Sequence, residues 1–128
     1  MVPKFRAWDK AIKEMIPWRM LLNVYNLRNV FIRPETCGLV LMQSTGLKDK
    51  NDVEIFEGDI VSVKNHPFQK TEKSGAGIEI DGDYAISWNE GDLTWCAGNL
   101  LLARLKPYVT VAGNIYENPE LLDQSNES

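Results

Sequence analysis

The 128-residue chain has few of the residues on which catalytic and metal sites are usually built. It contains two cysteines and one histidine. The stretch at 74–77 is rich in glycine but lacks the lysine and the strand-to-helix context of a phosphate-binding loop. His66 has no nucleophile motif near it, and Cys37 and Cys96 each lack a nearby second ligand, which argues against nucleophilic catalysis and structural zinc. We therefore expect no enzyme activity, no cofactor and no metal.

Long apolar runs and an excess of basic charge are also missing. No apolar run approaches the roughly 20 residues that span a bilayer, and no apolar signal core follows the charged N-terminus. Two widely separated cysteines in such a chain predict reduced thiols and a cytoplasmic protein, with a disulfide between them as the alternative. The net charge of −4, from 18 acidic and 14 basic side chains, disfavours non-specific nucleic-acid binding, which depends on neutralising phosphates.

What the chain does have is the composition of a folded protein. Hydrophobic residues make up 44% and charged residues 25%, and four Trp, four Tyr and four Phe are present to anchor a core. This length fits one compact domain or two closely packed subdomains. After residue 46, strands and turns recur about every ten residues, which is typical of an antiparallel sandwich or barrel. Five short strands between about 55 and 112 predict a small SH3-like β-barrel.

The N-terminal part predicts mixed α and β structure. Alternation over 4–8 indicates a strand, followed by a turn or short hairpin. The next segment is ambiguous, because its first half fits helical spacing while Val, Phe and Ile at 30–32 favour a strand. We expect a helix over about 17–27, with Pro17 at its first position. After a loop that begins near Pro34, residues 39–43 form an apolar strand.

The block at 45–61 combines a charged turn, a second tight turn around Gly58 and the start of a strand over 60–64. Its acidic side chains predict either a cation site or an acid/base pair, or else turn chemistry. We favour turn chemistry, in which the two aspartates accept backbone N–H groups and the two glutamates face water. The acidic residues of the block are Asp49, Glu54, Glu57 and Asp59.

Further turns and strands follow towards the C-terminus. A mobile loop is expected at 69–77 and a short strand at 78–80. Asp81-Gly82-Asp83 predicts a hairpin turn, because a calcium loop would need further oxygen ligands. Residues 100–105 predict a strand or a short helix, and residues 108–112 a strand. Asn118-Pro119 is expected to open a terminal helix, followed by a disordered tail at 123–128.

The main candidate for a partner-binding site is an aromatic hairpin. Residues 84–88 and 93–96 predict two strands joined by a turn at 89–92. Tyr84, Trp88 and Trp95 lie on these strands. We favour core or cross-strand packing for Trp88 and Trp95. The alternative is an exposed aromatic row that binds an extended peptide, as sheet faces of small barrels do.

Three blocks of the sequence, at 4–10, 45–61 and 113–122, together resemble the YopX family, which is carried by phages and prophages. The resemblance implies an N-terminal α+β subdomain (1–45) that takes part in self-association. It then implies an SH3-like barrel with a short C-terminal helix (46–122). It implies no known catalytic activity and no established ligand, so it adds no site residues.

The chain departs from the family pattern in the first turn of the middle block. Where the family typically has Asn-Gly, this chain has Asn51-Asp52. Glycine adopts a positive φ freely, whereas Asp does so with some strain. We therefore expect this turn to be longer or slightly strained.

These observations favour a phage or prophage accessory protein that is not an enzyme. We expect it to form a homo-oligomer and to bind a host or phage protein through the barrel and its loops. Nucleic-acid binding is the alternative, since small barrels can use aromatic and basic residues for it. The basic residues available around the 69–77 loop are Lys64, Lys70 and Lys73.

Overall fold

The computed structural model describes residues 4–64, 81–98 and 100–122. The predicted loop at 69–77, the predicted strand at 78–80, the tail at 123–128 and the side chains of His66, Lys70 and Lys73 lie outside these ranges. The chain divides into two compact units, Met1–Ser44 and Thr45–Ser128. None of the helices in the described ranges is long and apolar enough to cross a membrane.

The first unit combines an antiparallel sheet with two short helices. Ala7, in the middle of the first strand, lies opposite Ile16 on one neighbouring strand and Leu41 on the other. The predicted first strand and the hairpin after it are therefore confirmed. The elements are β1 (Phe5–Asp9), β2 (Glu14–Ile16), α1 (Trp18–Val24), α2 (Leu27–Ile32), a 3₁₀ turn (Pro34–Cys37) and β3 (Leu39–Lys48).

The single helix predicted over 17–27 is wrong in its extent, because the segment forms two helices. Pro17 precedes α1 in an extended conformation rather than opening it. Asn26 separates the helices: its Oδ1 accepts the N–H of Arg28 at 3.1 Å and so caps the start of α2. The strand-favouring residues 30–32 are helical because Val30 is fully buried in the core of this unit.

The second unit is built mainly from antiparallel strands. Its five-stranded sheet has the order β8-β7-β6-β5-β9 and curls into a half-barrel. The preceding strand, β4, instead belongs to the other sheet, whose order is β2-β1-β3-β4. The elements are β4 (Glu54–Phe56), β5 (Asp59–Val63), β6 (Gly82–Asn89), β7 (Thr94–Ala97), β8 (Leu100–Leu101), α3 (Leu102–Leu105), a 3₁₀ turn (Lys106–Tyr108) and β9 (Val109–Asn114).

Burial on one face of this sheet explains why these segments form strands. Val61, Ile86 and Ala97 come from three adjacent strands and join one buried cluster with Ile55 of β4. Fully burying an aliphatic side chain of this size contributes about 1.5–3 kcal/mol. β4 pairs outside the five-stranded sheet, although Ile55 shares its core, so the described residues form a half-barrel sheet and a second sheet.

Three further predictions for this unit are corrected, completed or confirmed. The hairpin turn at Asp81-Gly82-Asp83 is wrong: Gly82 and Asp83 pair with Val63 and Ser62 of β5 and begin β6. Pairing with an already extended neighbour outweighs the turn preference of these residues. The ambiguous segment at 100–105 is both a short strand and a short helix, and residues 120–122 are helical, as expected after Asn118-Pro119.

Candidate partner-binding hairpin

The predicted aromatic hairpin is formed by β6 and β7. Trp88 lies directly opposite Trp95, and Asn89 opposite Thr94. The two indole rings meet edge to face, with centroids 5.1 Å apart and an interplanar angle of 70°. Such pairs contribute about 0.5–1.5 kcal/mol beyond the area they bury. The favoured interpretation, cross-strand packing, is therefore confirmed for this pair.

The three aromatic residues of the candidate site differ in how far they reach solvent. Tyr84 and Trp95 are half-buried and pack against the core of the second unit. Tyr84 also lies close over Gly98, where an added Cβ would come within 2.9 Å of its ring. Trp88, in contrast, is 43% exposed. Of the predicted site residues, Trp88 thus has the most surface available to a partner.

The turn of this hairpin exposes a residue that sequence reasoning did not single out. Leu93 is 74% exposed and has a φ of 51°, in the left-handed region. The Oδ1 of Asn89 accepts the N–H of Asp92 at 3.0 Å and holds the turn together. No clear sequence signal marks it, because a loop position with a positive φ usually holds Gly or Asn.

The first hairpin of the chain has the same turn design and allows a direct comparison. Asp9 lies opposite Glu14, and its Oδ1 accepts the N–H of Ala11 at 2.9 Å. The fourth loop residue, Lys13, has a φ of 55°. Lys13 and Leu93 thus occupy equivalent positions, but only in the second hairpin is the strained residue a large apolar one.

All charged side chains within the aromatic hairpin segment are acidic. Residues 81–98 contain four acidic side chains and neither Lys nor Arg. Two of these acidic residues, Glu90 and Asp92, are exposed in the turn beside Leu93. The hairpin therefore combines exposed apolar surface with negative charge.

The aspartates of the acidic cluster in the middle block accept backbone N–H groups, as predicted. The Asp49 carboxylate is only 5% exposed. Its Oδ1 accepts the N–H groups of Asn51 and Val53 at 2.8 and 2.9 Å, and its Oδ2 accepts that of Val111 at 2.8 Å. Burial alone would raise the pKa of Asp49. The three N–H donors, led by Val111, and the charge of Lys50 outweigh burial and lower this pKa.

The second turn of that block, around Gly58, is also stabilised by an aspartate carboxylate. The Oδ2 of Asp59 accepts the N–H of Phe56 at 2.8 Å, and Gly58 has a φ of 83°. The glutamates were predicted to face water, and Glu54 and Glu57 are both half-buried, so they reach solvent only in part. They lie within or directly after β4, whose pairing with β3 covers part of their surface.

No described residues form a group of three or more His, Cys, Asp or Glu side chains that could hold a metal. The absence of a metal and a cofactor stays a prediction. Cys37 and Cys96 are both free, with Cys96 buried, so the alternative of a disulfide between them is not realised.

The family model for the YopX protein matches residues 4–123. The chain belongs to the YopX family. It is also similar to the crystal structure of protein EF1440 from Enterococcus faecalis, with 30% identity and a TM-score of 0.59 over 95% of this chain and 99% of that one. None of the curated proteins matches the chain. The predicted resemblance to YopX proteins is confirmed.

The blocks by which the chain resembles the YopX family have structural roles. The first forms β1, and the second holds the turns around Asp49 and Gly58. In the third, Asn114 Oδ1 accepts the N–H groups of Tyr116 and Glu117 at 3.0 and 2.8 Å, while Ile115 donates to the Gly58 carbonyl at 2.9 Å. These residues fix chain reversals, which explains why the three blocks are recognisable in the sequence.

The departure from the YopX pattern at the first turn also has its expected consequence. Asp52 stands where glycine is typical, and its φ is 67°. The turn keeps this conformation although Asp tolerates it less well than Gly. The Asp52 carboxylate lies 3.6 Å from the Lys48 Nζ, but both side chains are largely exposed, so this ion pair adds little stability.

Proposed function

We propose that this YopX-family protein is a non-catalytic module that binds another protein, as an accessory protein of a phage or prophage. The observation that carries the proposal is that Trp88 and Leu93, which belong to the same hairpin, are both exposed. Large aromatic residues supply much of the binding energy of protein interfaces. The partner is a host or phage protein.

The use made of buried polar groups supports a role without catalysis. The buried polar side chains in the described ranges are Asp49, Asp59 and Asn114. Each accepts hydrogen bonds from backbone N–H groups of turns or strands. Catalytic groups are usually poised in a cleft with a raised or lowered pKa and a substrate position nearby. Here the lowered pKa of Asp49 is accounted for by the backbone it holds.

We further propose that the second unit acts as a small SH3-like barrel. The support is that Ile55 of β4 shares a core with Val61 and Ile86 of the five-stranded sheet. A shared core across two sheets is what a closed or nearly closed small barrel requires. In such a barrel the β6–β7 hairpin presents its turn to a partner from a rigid base.

Affinity capture tests the protein-binding role. The full chain is immobilised and exposed to a lysate of the bacterium that carries the gene, in parallel with Trp88→Ala. Candidates captured by the parent and lost with the variant are then purified and their binding measured. We expect at least one direct partner with affinity that depends on Trp88. If no purified candidate binds in a Trp88-dependent way, binding through this hairpin is refuted.

Self-association is a second proposal, favoured by a separate observation in the first unit. Several large apolar side chains of α1 and α2 are exposed, which is unusual for two adjacent helices of a monomer. A second copy of the chain that covers them would remove this surface from water. The residues are Met20, Leu22, Val24, Phe31 and Ile32, with Val24 the most exposed at 70%.

Nucleic-acid binding has less support. The acidic hairpin would repel phosphates, and two of the three lysines on which the idea rests lie outside the described residues. Phosphate contacts give most of the affinity of such complexes, so it rises as salt falls. Fluorescence anisotropy with single-stranded DNA at low salt decides the matter: binding there would revive the alternative.

A further inference from the structure

We propose that the β6–β7 hairpin tip selects a basic partner segment, with an Arg or Lys side chain stacked on Trp88 and an apolar neighbour against Leu93. This inference rests on the proposed protein-binding function and names the chemistry of its partner. The tip is defined here as Trp88, Glu90, Asp92, Leu93 and Trp95. Three independent features of the tip point to such a partner.

The first feature is the arrangement of the indole rings. Trp95 packs against Trp88 at 70° and 5.1 Å between centroids, while Trp88 keeps 43% of its surface exposed. An indole held in place by its neighbour loses little side-chain freedom on binding. The negative face of an indole attracts guanidinium and ammonium groups, and Trp is the strongest of the aromatic residues in this respect.

The second feature is charge. Glu90 and Asp92 are exposed in the turn of the same hairpin, and the segment 81–98 itself supplies no Lys or Arg to neutralise them. A partner with positive charge is steered towards this tip and held in register, whereas an acidic partner or a phosphate backbone is repelled. Charge complementarity thus selects a basic segment over an acidic or uncharged one.

The third feature is strain at Leu93. A left-handed backbone is unfavourable for leucine, and Leu93 gains little burial because it is 74% exposed. The equivalent position of the first hairpin holds Lys13, which keeps the same backbone without exposing a leucine-sized apolar group. Strained residues tend to lie at functional sites. An apolar contact with a partner gives Leu93 a role that the fold does not.

The inference is tested by selecting random dodecapeptides displayed on phage against the full protein, with prior depletion on Trp88→Ala. Enriched peptides are synthesised with a fluorescent label, and their affinities are measured by anisotropy. We expect enrichment of Arg or Lys next to an apolar residue. Replacing that cation by Gln in the peptide should weaken binding by about tenfold, the range of one well-placed cation–π contact with a supporting charge.

Variants of the protein separate the contributions. Leu93→Gly and the double variant Glu90→Gln with Asp92→Asn should each weaken binding several-fold, and the double variant should also reduce its salt dependence. Lys13→Gly makes the same backbone change as Leu93→Gly in the other hairpin and should leave affinity unchanged. Because Leu93→Gly removes strain rather than packing, its effect on binding does not depend on loss of folding.

The outcomes distinguish failure of the basic selectivity from failure of the proposed protein-binding function. If peptides bind in a Trp88-dependent way but show no enrichment of Arg or Lys and tolerate the double variant, basic selectivity is wrong and the protein-binding hairpin stands. If no selected peptide depends on Trp88 or Leu93, both fail for this hairpin. Cation-dependent binding that is lost in the variants supports both.

Discussion

At the scale of single residues, one carboxylate organises much of the second unit. Asp49 receives N–H groups from its own turn and from Val111, which is 62 positions away. Hydrogen bonds of this kind satisfy backbone donors that would otherwise be buried without a partner. The Asp49 carboxylate therefore has a structural role: it accepts hydrogen bonds that join its own turn to the distant strand β9.

Asp49→Asn tests this role. The amide cannot accept at both positions, so one N–H donor is left facing an NH₂ group. We expect a loss of about 1–3 kcal/mol in the free energy of unfolding at neutral pH, measured by urea denaturation. Asp92→Asn, at an exposed position, should change stability little. Equal losses in the two variants would contradict the role assigned to Asp49.

The same residue predicts how stability depends on pH. The pKa of Asp49 is lower in the folded state than its ordinary value of 3.8, so the unfolded chain binds its proton more readily. The contribution of Asp49 is complete above the unfolded pKa and is lost as pH falls through the folded one. Denaturation curves from pH 7 to pH 2 should therefore show a shallower acid decline for Asp49→Asn than for the parent.

Gly58 provides a second test at this scale. With φ at 83°, it occupies a conformation that β-branched residues strongly disfavour. Gly58→Val should destabilise the protein by about 1–3 kcal/mol, and Gly58→Asn by less, since Asn tolerates this region. Thermal denaturation of both variants decides it. A valine variant as stable as the parent would show that the turn does not require glycine.

At the scale of elements, the strained turns separate stability from binding. Replacing Leu93 or Lys13 by Gly relieves a left-handed φ at equivalent loop positions, although glycine gains entropy in the unfolded chain. We expect each variant to be more stable than the parent by up to about 1 kcal/mol, as measured by urea denaturation. A destabilised Leu93→Gly would mean that the leucine side chain already supports the fold.

Elements were predictable from sequence where the local pattern and the tertiary contacts agree. The alternation at 4–8 and 60–64 gave β1 and β5, and the turn residues at 89–92 gave the aromatic hairpin. The pattern failed where a neighbour overrides preference: Gly82 joins a strand because β5 is beside it. It also failed at Asn26. This residue caps the start of α2, and the break between α1 and α2 depends on the burial of both Leu21 and Val30 in one core.

The candidate site was predictable only in part. Aromatic residues at alternate positions of one strand and opposite them on the next identify the Trp88–Trp95 pair. Exposure could not be read in the same way, because the sequence does not reveal that Tyr84 is held over Gly98 while Trp88 stays accessible. Leu93 was missed since its importance comes from a backbone angle, and only Asn or Gly would have marked that position clearly.

At the scale of the whole molecule, the exposed apolar helices of the first unit lead to a prediction about assembly. Val24→Glu combined with Ile32→Glu places charge at two positions that are 70% and 63% exposed, so the fold itself should tolerate the change. If a second copy covers these helices, the double variant should have a lower mass than the parent in light scattering after size-exclusion chromatography. Ile12→Glu, also exposed, is the control outside α1 and α2.

A parent protein that is already monomeric at high concentration would contradict the self-association proposal. An oligomer whose mass is unchanged in the double variant would instead place the interface elsewhere. Circular dichroism of the variants distinguishes loss of assembly from loss of folding.

The bond between Asp49 and Val111 also bears on how fast the protein acquires its structure. β9 lies beside β5 rather than beside its neighbour in sequence. A long loop must therefore close before the contacts between β9 and β5 can form. Topologies rich in such distant contacts fold slowly. The β6–β7 hairpin is made from adjacent residues, so it can form early, with Trp88 packed against Trp95, before β9 pairs with β5 and completes the sheet.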